Sequence, residues 1–71
     1  MKILYDKEID GLYIELRDIT AHHNVDITPG VSIDVDKDGQ IVGIEVLDAS
    51  QILKDNLYNL EYHQVPFKHA V

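Results

Sequence analysis

Apolar and polar residues alternate along most of the chain in short runs, at 2–5, 12–17, 24–28, 31–36 and 41–47, separated by Asp, Gly, Pro and Asn. That two-residue period predicts half-buried strands. After Asp48 the period lengthens to that of a helix. Asp48 is placed to cap the amide of Gln51, Gln51 to answer it as a capping box, and Leu47 to staple onto Ile52. Ala49, Ile52, Leu53, Leu57 and Leu60 then share one side of the helix, with Lys54, Asp55, Tyr58 and Glu61 on the other. The expected fold is α+β: an antiparallel β-meander of about five strands with one C-terminal helix packed on one sheet face. Residues 1–61 form this single domain. Pro66 stops the helix from continuing, so 62–71 is a C-terminal tail, read as part of an interface.

The pattern also predicts registers. A two-residue turn at Asp38-Gly39 sets Val31 opposite Val46, Ile33 opposite Ile44 and Val35 opposite Val42, so every inward pair is apolar. A slip of one residue would bring Asp34 beside Val42 on the core face, where an unpaired carboxylate is costly. Thr28-Pro29-Gly30 reads as a three-residue loop that pairs Ile27 with Val31 and Val25 with Ile33, Gly30 supplying left-handed backbone. Leu12, Ile14 and Leu16 point inward, and Tyr5, Tyr13 and Arg17 are assigned to the rim or outer face.

Size and charge narrow what such a sheet can do. At 71 residues the chain lies near the lower limit for a self-sufficient core. A homodimer covering the outer sheet face or the tail is therefore expected. Lys and Arg number 6 against 13 Asp and Glu, a net charge of −7. That sign disfavours direct nucleic-acid binding and favours a small basic protein as partner. No cysteine is present, which fits a reducing cytoplasm, and no apolar run is long enough for a membrane span.

Candidate chemistry is sparse. Asp34, Asp36, Asp38, Gly39 and Glu45 match the spacing of a calcium loop, but such a loop needs flanking helices and converging oxygens, whereas both flanks here carry the period of strands. Asp36 and Asp38 remain as weak metal candidates, and a cation-binding regulatory module built on the Asp34 to Glu45 hairpin is the alternative functional reading. His22 and His23 are adjacent in a loop, and His63 and His69 flank Pro66, so no pair has ligand spacing. No catalytic or cofactor-binding residue is assigned, because the chain has no nucleophile setting and no phosphate loop. Tyr58 and Tyr62, on the helix face away from the apolar stripe, are the interface candidates. The leading reading is a non-enzymatic protein-interaction module.

The strings Tyr5-Asp6, Asp10-Gly11-Leu12-Tyr13-Ile14 and above all Asp34 through Ser50, within IDVDKDGQIVGIEVLDAS, resemble the small prokaryotic family called domain of unknown function 2283. The likeness covers about residues 1–53 and departs at Gly11, where members often carry Ala. It implies a compact sheet-plus-helix domain and brings no established activity. Members are similar in size and setting to proteins encoded beside small toxin-like partners, which implies an antitoxin-like, neutralising role.

Overall fold

A computed structural model describes residues 1–67. The strands stand within two residues of their expected bounds: β1 (Lys2–Asp6), β2 (Gly11–Glu15), β3 (His23–Thr28), β4 (Val31–Val35) and β5 (Ile41–Val46). All pairings are antiparallel, in the spatial order β1-β2-β5-β4-β3. The meander departs from chain order at one join. There β2 lies against β5, and residues 16–22 carry the chain from the middle of the sheet to its far edge. Alternation then sorts side chains between two faces. One cross-strand row reads Ile3, Ile14, Ile44, Ile33 and Val25, apolar from edge to edge. The next row, on the opposite face, reads Leu4, Tyr13, Glu45, Ser32 and Asp26.

Both expected turns differ by one residue, and each difference is absorbed by a bulge. Between β4 and β5 the Gly39 amide donates to the Asp36 carbonyl at 3.0 Å and the Asp36 amide to the Gln40 carbonyl at 2.8 Å, which makes 37–39 a three-residue loop. Gly39, at φ 81°, takes the left-handed position that such a loop requires. Asp36 favours the wider loop because its Oδ1 accepts the amides of both Asp38 and Gln40 at 2.9 Å. Val31 faces Val46 and Ile33 faces Ile44 as expected, but Val35 faces Ile41 instead of Val42. Between β3 and β4 the turn is the two residues Pro29-Gly30, with Gly30 at φ 83°, and Thr28 faces Val31. Proline at the first central position and a positive φ at the second are the marks of a type II turn, and Thr28 keeps the extended backbone that a residue before proline prefers. Ile27 falls at the irregularity between Asp26 and Thr28, so its expected pairing with Val31 is lost while Val25 still faces Ile33.

The C-terminal helix is shorter than its apolar period suggests. It comprises α1 (Ala49–Leu53) and a 3-10 segment, Lys54–Tyr58, with Lys54 at φ 52° breaking the α-helical ladder. Asp55, Asn56 and Asn59 favour local bonds over helix continuation: Asn59 donates from its side chain to the Asp55 carbonyl at 3.2 Å and from its amide to the Asn56 carbonyl at 3.2 Å. Leu53, Leu57 and Leu60 stand over β1 and β2, lining an apolar cleft with Ile3, Leu12 and Ile14. Ile52, assigned to the inward stripe, is exposed. Among the described residues the buried apolar side chains are Leu12, Val42 and Ala49, a thin core. Of the expected tail, residues 68–71, including His69, lie outside the described residues.

Candidate protein-interaction site

The face opposite the apolar row concentrates charge around one tyrosine. Tyr13 on β2 lies across Gly43 of β5: a Cβ at Gly43 would overlap the Tyr13 hydroxyl and stand 2.9 Å from the Ile14 carbonyl oxygen. The absence of that side chain lets the Tyr13 hydroxyl reach β4, where it donates to Asp34 Oδ2 at 2.9 Å. Asn24 on β3 donates to Asp34 Oδ1 and to Ser32 Oγ, each at 3.0 Å. Burial chiefly, then the bond to Asp34 and the charges of Asp34, Glu15 and Glu45, push the Tyr13 hydroxyl above its ordinary pKa. Tyr13 therefore stays protonated and keeps its donor on Asp34. Glu15, Asp26, Asp34 and Glu45 share this face with Lys2, whose Nζ lies 3.9 Å from Glu15 Oε2. A sheet cannot move these carboxylates apart, so their fields add over one rigid surface.

The two ends of the sheet are tied by single carboxylates. At one end Asp10, with φ 51°, accepts the Tyr5 hydroxyl on Oδ1 at 2.6 Å, the Ser50 amide on Oδ1 at 3.0 Å and the Ser50 hydroxyl on Oδ2 at 2.7 Å. Its carbonyl accepts the Ala49 amide at 3.0 Å. The N-terminus of α1 is thus capped from the β1–β2 turn. Asp48, the expected cap, makes no side-chain cap bond, because at φ 53° it lacks the extended backbone that aims an N-cap carboxylate at the helix amides. The Tyr5 bond first, then those from Ser50, hold the Asp10 carboxyl below its ordinary pKa, and the same bond to Asp10, ahead of burial, pushes Tyr5 up to about 12. Tyr5 shares the apolar face with Ile3, correcting its assignment to the rim or outer face.

At the other end Arg17 donates from Nε to the Ile41 carbonyl and from a terminal guanidinium nitrogen to Asp36 Oδ2, each at 2.8 Å. Arg17 chiefly, then the Gln40 amide, holds Asp36 below its ordinary pKa. The metal candidates resolve differently from one another. Asp36 already meets a guanidinium and two amides, and Asp38 contributes its amide to that carboxylate. Asp34 and Glu45 lie on the strand ladder, opposite Gly43 and Ser32. Among the described residues no group of three His, Cys, Asp or Glu side chains is placed to hold a metal ion.

The interface candidates Tyr58 and Tyr62 are exposed, and both stand apart from the acidic face. Tyr62 borders Met1, Ile3 and Ile14 on the apolar side. His63 meets Glu61 at 2.7 Å, and His23 pairs with Val35 in the sheet. Sequence reasoning missed Asp10, Ser50 and the Tyr13–Gly43 crossing as organising groups. The available signal was that Tyr5, Asp10, Tyr13, Gly43 and Ser50 all fall within the strings that carry the family resemblance. No helix among the described residues is long and apolar enough to cross a membrane.

A family model described as "Protein of unknown function (DUF2283)" matches residues 2–50, the span holding both end carboxylates and the acidic face. The chain is 32% identical over 68 residues to an uncharacterised protein of Methanocaldococcus jannaschii, a match covering 96% of this chain and 58% of that protein. The chain thus spans less than two thirds of that relative's length. No solved structure matches it.

Proposed function

Because the chain belongs to the DUF2283 family, whose description assigns no activity, we propose from its geometry that it is a non-enzymatic interaction module whose acidic sheet face receives a small basic protein. One observation carries this reading: Glu15, Asp26, Asp34 and Glu45 are segregated onto a single face around Tyr13. A rigid surface on which four carboxylates face one lysine steers a partner of opposite charge and sets its orientation, at ranges set by ionic strength. The other carboxylates support binding over catalysis. Asp10 and Asp36 are held ionised by bonds that build the fold, so neither is poised to exchange a proton near neutral pH. Neutralisation of a basic, toxin-like partner is the form of this role that the family resemblance suggests, and the cysteine-free composition suits a cytoplasmic setting.

The experiment is affinity capture of the chain from its native host, with mass spectrometry of what co-elutes, run beside a Glu45→Lys/Asp26→Lys variant. A stoichiometric basic protein that elutes with the native chain, is lost with the variant and dissociates as salt rises is the expected result. Equal capture by both chains refutes the acidic face as the contact.

A further inference from the structure

The apolar face is covered unevenly. The helix and the residues after it stand over β1 and β2, whereas on the β3 side Val25 is 44% exposed and Ile27 60% exposed. The same chain also carries an irregular C-terminal stretch in which Leu60 is 75%, Tyr62 74% and Val65 65% exposed.

We infer that the open half of the apolar face, on β3, β4 and β5, is covered by a second copy of this chain about a two-fold axis, with the 60–65 stretch of each copy laid against the other. Charge selects the face. Two copies carrying −7 each repel through the surface around Tyr13, whereas the row Ile44, Ile33 and Val25 holds no carboxylate, so the apolar sides are where identical chains can meet. Size selects the extra stretch. Three strands at about 4.8 Å spacing and five residues long present about 250 Å² in projection. That is too little alone, and Leu60, Tyr62 and Val65 add the apolar area that completes the contact. An isologous arrangement uses both patches twice and leaves both acidic faces outward. The inference stands apart from the basic-partner reading, since it concerns the pure chain.

Sedimentation equilibrium of the purified chain tests it, with circular dichroism to confirm the fold of each variant. The native chain is expected at twice 8.1 kDa. Val25→Lys on the exposed edge strand and Tyr62→Ser outside the sheet should each raise the dimer Kd at least about tenfold. Glu45→Lys, on the opposite face, should leave it unchanged or tighter. A monomer at all concentrations up to about 1 mM overturns the proposal. So does a folded Val25→Lys or Tyr62→Ser chain with the native Kd, or a dimer weakened by Glu45→Lys. Should Val25→Lys fail to fold, Tyr62→Ser decides.

Discussion

Asp10 and Asp36 sit at opposite ends of one sheet, and each carboxylate accepts three hydrogen bonds, Asp10 from Tyr5 and twice from Ser50, Asp36 from Asp38, Gln40 and Arg17. They build different things. Asp36 shapes its own turn, bonding residues two and four positions on, with Arg17 reaching across to fasten the tip. Asp10 uses the same chemistry to hold the helix, 40 positions away, to the first hairpin. The first carboxylate makes local structure and the second makes tertiary structure, although both are turn aspartates in the sequence.

Breaking each tie should therefore produce damage of different reach. The largest effect is expected for Asp10→Ala, which removes the cap of α1 and the partner of Tyr5: a Tm lowered by about 10 °C, with hydrogen exchange accelerated at the remote amides of Ala49 and Ser50. Asp36→Ala should lower Tm by about 4–8 °C and accelerate exchange only around Asp38 and Gln40. If Asp36→Ala loosened Ala49 as well, the distinction between a local and a long-range tie would fail.

This contrast also marks what was legible in the chain. Alternation located every strand because each inward residue is apolar within its own run, and Asp38-Gly39 announced a reversal. The bulges escaped because Val42 and Ile27 look like ordinary members of alternating runs; only the hydrogen bonds of the turns displace them. The β2–β5 join and the Asp10–Ser50 bonds escaped because partners so far apart leave no periodic trace. At the helix start the local cap signature of Asp48 was misleading, since Asp10 had taken the role.

Smaller changes sharpen the comparison. Tyr5→Phe should cost about 3–6 °C, read at the Asp10 end alone. Titration separates the ends further. Carboxyls held below their ordinary value of 3.8 stabilise the fold above that pH and lose this contribution as pH falls through their folded values, so both ends weaken below about pH 4. A raised tyrosine does the reverse: the contribution of Tyr5 is complete below 10.0 and fades as pH rises through about 12. Urea unfolding across pH should show one acid limb shared by both ends and an alkaline limb that Tyr5→Phe reduces to the part set by Tyr13. An alkaline limb unchanged in Tyr5→Phe would contradict the assignment.

The crossing of Tyr13 over Gly43 reaches into how the sheet assembles. The β2–β5 pairing joins the β1–β2 hairpin to the strands β3, β4 and β5, and a slip of two residues that set Leu12 opposite Ile44 and Ile14 opposite Val42 would keep its inward pairs apolar and pass unnoticed on that face. On the other face that slip would set a residue bearing a side chain where Gly43 makes room for the tyrosine ring. Gly43 thus works as a keyway, admitting one alignment of the two halves and turning a near-degenerate search into a single productive docking.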